Sequence, residues 1–171
     1  LCCKSGPTAK SDKKITVYTS IIGGYDNLRD DQFTENDVDY VAFLDRPYES
    51  KFWNIKEVFK QFIDPSRQAK IYKVLPWQFL DCEYSIWIDG RMAVNVSPHW
   101  LIDTYLKDAD IALFAHHKRD DIYEEYQGDK AYRLGDKPYH RQYEPESLYE
   151  MQIERYRQEG FPQHSGLFEC T

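Results

Sequence analysis

Four short apolar runs in this sequence end on residues able to do chemistry. The first passes through Tyr18, Thr19 and Ser20 into Ile21-Ile-Gly-Gly24, the second stops at Asp45, the third at Asp89-Gly-Arg91, and the fourth empties into His116-His-Lys-Arg-Asp-Asp121. A carboxylate such as Asp89 can ligate a hard cation. A guanidinium such as Arg91 can clamp a diphosphate through two parallel hydrogen bonds; its bland alternative is an ion pair with a neighbouring acid. Arg67, Lys70 and Lys73 recur three apart, so on a helix they fall near one face, as a local positive field or as a merely solvated surface. His116 and His117 offer imidazoles for a metal or for a substrate hydroxyl. On an extended segment they point to opposite sides, and His116 is taken to face the cleft. Asp120, Asp121, Glu124 and Glu125 are general-base candidates, although acids at a helix N-terminus are expected on electrostatic grounds alone.

These groups must be positioned by an alternation of strands and helices. Residues 15 to 22 are β-branched and aromatic and end at Gly23-Gly24, where the backbone can turn sharply, so a first strand is expected there. Residues 38 to 45 repeat the pattern before the breaker Arg46-Pro47. A short strand is expected over 52 to 58, then a helix from Pro65 with Asp64 as its N-cap and Pro76 as its terminator. Further on, the patterns predict strands over 83 to 89, 92 to 95 and 110 to 115, the last of them buried, and a helix over 98 to 107. Helical stretches follow near 121 to 126 and 146 to 158. Such alternation predicts an α/β fold with a mainly parallel sheet. In such sheets ligands collect outside the carboxyl ends of the strands, so the four groups would share one rim.

With 171 residues, 42% of them apolar and 16% aromatic, the chain can build one compact domain, expected over residues 14 to 171. Residues 1 to 13 carry no apolar period and are set aside as a disordered or artificial N-terminal stretch. The run from Ser165 reads as a strand cut short, which predicts a longer parent protein. A surplus of 29 acidic over 22 basic side chains, net −7, disfavours nucleic acid and anionic membranes as partners. No run approaches the roughly 18 apolar residues of a spanning helix. Cysteines at 2, 3, 82 and 170 make no Cys-x-x-Cys pair, so a reducing, cytoplasmic setting is expected. The fourteen tyrosines suit either sugar stacking or ordinary helix packing.

At Asp89 the sequence becomes specific. The run Tyr84-Ser-Ile-Trp-Ile-Asp-Gly90, preceded by a helix carrying Arg67, Lys70 and Lys73, resembles the segment before the Asp-x-Asp motif of GT-A glycosyltransferases. Val17-Tyr-Thr-Ser-Ile-Ile-Gly-Gly-Tyr-Asp26, Val38-Asp-Tyr-Val-Ala-Phe-Leu-Asp45, Arg67-Gln-Ala-Lys70, Leu75-Pro76 and His116-His-Lys-Arg-Asp-Asp-Ile-Tyr-Glu-Glu125 follow in the order seen in one glycosyltransferase family. That family, long catalogued only as a domain of unknown function, has bacterial members and plant members linked to mucilage polysaccharide synthesis. The match covers roughly residues 15 to 170, far more than a lone motif.

The resemblance implies a GT-A-like three-layer sandwich and transfer of a hexose from a nucleotide-diphosphate sugar to a glycan or glycoconjugate hydroxyl. It implies Tyr18, Thr19, Ser20, Asp45, Arg67, Lys70, Asp89 and Arg91 on the donor, with His116, Arg119 and Asp121 on the acceptor side. Asp89, Asp120 and Glu124 are the catalytic candidates. It also implies a Mn²⁺ or Mg²⁺ ion, with Asp89 and then His116 as the residues to hold it. However, Arg91 stands where the second carboxylate belongs, which points to a weak metal requirement or none. Golgi-resident relatives make the Golgi lumen the alternative location. A nucleotidyltransferase, or a non-catalytic nucleotide- or carbohydrate-binding module of the same fold, are the alternative functions. The first would need a basic Gly-rich loop, and Ile21-Ile-Gly-Gly-Tyr25 has no lysine.

Overall fold

The computed structural model describes residues 2–4, 14–59, 61–134 and 146–169. They fall into two compact units, the first ending at Leu113 and the second beginning at Phe114. In chain order the first unit holds β1 (Cys2–Lys4), β2 (Ile15–Ile21), β3 (Val38–Leu44), β4 (Asn54–Glu57), α1 (Pro65–Val74), β5 (Tyr84–Trp87), α2 (Pro98–Leu101) and β6 (Ile111–Ala112). The second holds β7 (Phe114–Ala115), α3 (Ile122–Leu134), α4 (Glu146–Gln158) and β8 (Phe168–Glu169).

Four strands of the first unit run parallel in the order β4-β3-β2-β5, and β1 and β6 extend the sheet antiparallel beyond β5. This mixed α/β architecture, with a parallel centre flanked by helices, is compatible with a GT-A-like fold. Every residue of β2 is buried, as a central parallel strand covered on both faces requires. Ile15, Val17 and Ile21 pack on one side with Ala42, Leu44, Ile86, Ile88, Ile102 and Leu106. Tyr18 packs on the other with Val41, Phe43, Trp87 and Tyr72 of α1. Period-2 alternation therefore sorts the sheet residues into an α1 face and an opposite face.

Helix α1 begins as its sequence dictates. Asp64 Oδ1 accepts from the Ser66 amide at 2.8 Å, and Pro65 occupies the first turn. Its buried side is Gln68 and Tyr72, four apart, with Tyr72 stacked on Phe43 at 4.4 Å. Gln68 is fully buried and works in both directions: Oε1 accepts from the amides of Gln61 and Phe62, and Nε2 donates to the Tyr72 hydroxyl.

Several expectations differ from what is observed. Cys2–Lys4, set aside on pattern, forms β1 between β5 and β6. Three residues joined through backbone bonds need no apolar period. Residues 110 to 115 form no single buried strand but split into β6 and β7 in different sheets, with Ile111 and Phe114 exposed. The strand expected from 52 starts only at Asn54, because Ser50 Oγ accepts from the amides of Phe52 and Trp53 and curls the chain. Residues 92 to 95 form no strand; the Gln32 side chain binds them instead, accepting from the Val94 amide and donating to the Met92 carbonyl.

Candidate functional site

The carboxyl ends of the parallel strands carry Ser20, Asp45 and Asp89. Ser20 is registered with Phe43 on β3, and two residues earlier Tyr18 pairs with Trp87 on β5. The amide of Ile88 still donates to the Tyr18 carbonyl at 3.0 Å, so the register carries Asp89 level with Ser20. By alternation Ser20 and Asp89 lie on the α1 face, as Tyr18 and Trp87 do. Ser20 is 8% exposed, and its hydroxyl has no hydrogen-bond partner among the described residues. The Thr19 hydroxyl is likewise buried with no partner among the described residues, but Thr19 shares the face of Val17 and Ile21, opposite α1. Tyr18 is also a core residue, its ring edge-on to Trp87 at 5.3 Å and its hydroxyl donating to the Lys73 carbonyl at 3.4 Å. Tyr18 and Thr19 are both fully buried.

Asp45 holds the turn after β2. Its Oδ2 accepts from the Gly23 amide at 2.8 Å, and Gly23 and Gly24 both take positive φ, 74° and 65°. A side chain on Gly23 would press on Pro65, so the close approach of this turn to the start of α1 also requires glycine. Arg46, which the sequence reading left aside, lies over Gly24 and reaches the Asp26 carbonyl. Arg67 is half-exposed and 3.7 Å from Asp64, while Lys70 is exposed with no ion pair among the described residues.

Asp89 follows β5 in irregular backbone, just ahead of a turn at Gly90 and Arg91. The strand does not continue, so alternation does not return Arg91 to the side of Asp89. Asp89 Oδ1 accepts from the Trp87 indole at 3.2 Å. The indole in turn lies under the Lys73 ammonium, 5.1 Å from the ring centroid. Arg91 is exposed and has no ion pair among the described residues, so the bland reading of its charge finds no acid to satisfy it. Gly90 is buried, and a Cβ there would meet Ile21 and approach Asp26 Cβ at 3.4 Å. The fold thus brings a second acidic residue, Asp26, to this turn.

Among the described residues, the trios able to gather metal-ligand atoms are His116, His117, Glu169 and Asp120, Asp121, His164; Asp89 is in neither. Small hard cations are commonly held by one or two carboxylates and substrate phosphates. Asp89 fits that arrangement, with its second oxygen as the ligand, and does not fit a closed protein cage.

The second unit gathers its own charged groups. His116 Nδ1 accepts from the amides of Lys118 and Arg119 at 3.1 and 2.9 Å, so in this network the proton sits on Nε2, which faces Glu125 and Glu169 at 3.8 and 4.0 Å. A metal-bound histidine normally donates from its other nitrogen, the reverse of this arrangement. His116 and His117 do not point apart; the chain bends after β7 and their rings stack at 5.4 Å. The hydrogen bond from His117 holds the Glu169 carboxyl below its ordinary range. Arg119 pairs with Glu125 and lies where a side chain on Gly128 would stand. Asp121 is the N-cap of α3, accepting from the Glu124 amide at 2.7 Å, a bond that lowers its carboxyl pKa. Glu124 accepts from the Asp120 amide, and Asp120 binds His164 Nδ1 at 2.8 Å. Of the catalytic candidates, Glu124 thus binds backbone just before α3, while the Asp120 carboxylate is paired with His164.

A model of the TOD1/MUCI70 glycosyltransferase-like domain matches residues 7–167. The chain belongs to this family. It is similar to a protein of Arabidopsis thaliana named probable hexosyltransferase MUCI70, 26% identical over 178 residues that cover 91% of this chain and 29% of the relative. It therefore spans less than a third of that relative's length. No solved structure matches. The glycosyltransferase resemblance read from the ordered motifs is thus shown at the level of the family.

Within this TOD1/MUCI70 domain, the residues the sequence reading missed are Trp87, Asp26 and Arg46, and it left Lys73 undecided. Trp87 stands inside the quoted motif, but an indole in a buried strand carries no sign of where its N–H points. Asp26 and Arg46 follow strand ends and were readable as rim residues by position alone.

Proposed function

We propose that this domain transfers a hexose from a nucleotide-diphosphate sugar to a hydroxyl of a glycan or glycoconjugate, with the donor at the strand rim on the α1 face. The observation that carries this reading is the arrangement at Asp89. One carboxylate oxygen is fixed by Trp87, the other has no partner among the described residues, and the unpartnered Ser20 hydroxyl stands level with it.

Asp89 would meet the donor sugar or a divalent ion carried by the diphosphate, and Ser20 would bond a donor oxygen. Arg91, with help from Arg67 and Lys70, would take the diphosphate. Cations aimed at a leaving diphosphate stabilise the charge that develops as the sugar departs, which is the main electrostatic demand of the reaction. A bound Mn²⁺ or Mg²⁺ would supply more of the same stabilisation. Because Arg91 already contributes a fixed positive charge, the metal requirement is weak.

The test is incubation with a panel of UDP- and GDP-sugars and measurement of released nucleoside diphosphate, with and without EDTA. Release that survives EDTA, and that falls tenfold or more in Arg91→Met and Asp89→Asn, is the expected result. Activity abolished by EDTA and restored by Mn²⁺ would refute the metal-poor site. Donor binding without release would leave a binding module, and neither binding nor release would end the proposal.

A further inference from the structure

Asp89 sits beyond the last ladder residue of β5, so no sheet bond fixes its backbone partner on that side. A carboxylate torsion is broad and roughly two-fold, so an Asp in irregular backbone has no intrinsic orientation. Its aim must come from a neighbour. Trp87 is two residues earlier on the same face and donates its Nε1–H to Asp89 Oδ1 at 3.2 Å.

The indole is itself immobilised. It is 6% exposed, Tyr18 meets it edge-on at 74°, and the Lys73 ammonium lies 5.1 Å from its centroid. Lys73 comes from the last turn of α1, whose first turn stands against Gly23. One helix therefore contacts both the β2 turn and the ring that holds Asp89.

We propose that Trp87 is a positioning residue for Asp89, turning the free carboxylate oxygen toward the donor, and that Lys73 holds the indole in the orientation this needs. The role rests on the donor-site reading above. Its competitor is purely structural: a buried indole N–H needs an acceptor, and Asp89 is the nearest.

Trp87→Phe keeps an aromatic ring and removes the N–H together with the rest of the five-membered ring, so its Tm is measured beside its kinetics. Lys73→Met removes the cation and keeps the apolar stem, while Lys73→Arg restores a cation. The probes are UDP-glucose, UDP-galactose and GDP-mannose, and the one turned over fastest by the wild type is used throughout. Trp87→Phe is expected to lower kcat/KM roughly ten- to a hundredfold, as small misplacements of catalytic groups do. Lys73→Met should lose a smaller part of it, and Lys73→Arg should recover most of that loss. The deciding measurement is the pair Trp87→Phe and Asp89→Asn. If Trp87 acts through Asp89, the double variant is no worse than Asp89→Asn alone.

Independent, multiplying losses overturn the proposal, as does Trp87→Phe with wild-type kinetics whatever its Tm. If Trp87→Phe does not fold, the Lys73 variants decide: a loss in Lys73→Met recovered in Lys73→Arg supports the role, and wild-type kinetics in Lys73→Met refutes it. A wild type that turns over none of the three donors removes the donor-site reading and this role together. That outcome is distinct, because it is seen before any variant is made.

Discussion

Gly90→Ala is the smallest change that should disturb both the fold and the candidate site. An added Cβ would lie 2.5 Å from Ile21 Cδ1 and 2.6 Å from Ile21 Cγ1, whereas carbon atoms pack at about 3.5–4.0 Å. Roughly an ångström must be found. Ile21 is 3% exposed and β-branched, so it cannot swing into solvent. Overpacking of this kind costs about 1–3 kcal/mol, and for a domain of this size that lowers Tm by roughly 2–12 °C. Because the displaced turn carries Asp89 and Arg91, donor affinity should fall along with stability. The control is Ile21→Ala, which removes both clashing carbons at its own cavity cost of about 2–5 kcal/mol. Combined, the two changes should be less damaging than their sum by about 1 kcal/mol or more. Thermal and urea unfolding of the four proteins, with nucleotide-sugar titration calorimetry, measures all of this. Strict additivity, or a Gly90→Ala protein equal to wild type in Tm and donor affinity, would show that the close approach of Ile21 to Gly90 is not what holds the turn.

Other consequences follow from single contacts. Gln68→Leu keeps the bulk but strips the acceptor from the amides of Gln61 and Phe62. It should cost about 2–3 kcal/mol, with faster amide exchange at those two residues; unchanged exchange would show that the loop finds other acceptors. Gly23→Ala combines φ +74° with a 3.1 Å contact to Pro65, so it should lower Tm by a few degrees, by roughly 1–3 kcal/mol. Asp45→Ala should lower it less, by unmooring the same turn. The hydrogen bond to Asp120 raises the His164 pKa above its ordinary 6.5, with Asp121 and Glu124 adding to it. The order this contributes to residues 163 to 166 is therefore complete below about pH 6.5 and lost as pH rises through the higher folded value. Amide exchange against pH, with Asp120→Asn as the control that removes the effect, checks the sign.

Much of the frame was readable because it is local. Asp64-Pro65 announced α1, the apolar runs announced β2, β3 and β5, and the stretch 146 to 158 matches α4 to the residue. What was not readable depends on side chains that bond backbone far away in sequence. Gln32 replaces a strand at 92 to 95 across a separation of 62 residues, and nothing near either segment signals it. Likewise, Tyr18, Thr19 and Ser20 are equal candidates in sequence. Only the register and the two faces of the sheet separate a core ring, a hydroxyl facing the opposite layer and a hydroxyl on the α1 face. In the Asp120 to Glu124 cluster the acids that suit catalysis by type also have structural partners, Asp121 capping α3 and Asp120 binding His164, which their types alone do not reveal.

The electrostatic sense of the rim follows from which charges remain unspent. Asp45 gives one oxygen to the Gly23 amide, Asp89 gives one to Trp87, and Asp64 serves as the cap of α1 with Arg67 nearby. On the other side, Lys70 and Arg91 have no acidic partner among the described residues, and Lys73 is spread over an indole face. At the ends of the parallel strands of a chain of net charge −7, Asp45 and Asp89 are each hydrogen-bonded through one oxygen, the Asp26 carboxylate has no partner among the described residues, and Arg91 is an exposed cation with none. On the donor-site reading, the exposed Arg91 is the cation that would meet the diphosphate. In the proposed reading, the free oxygen of Asp89 would meet a sugar hydroxyl or an ion brought in by the donor, and Arg91 would supply charge that a second carboxylate would otherwise recruit through a metal.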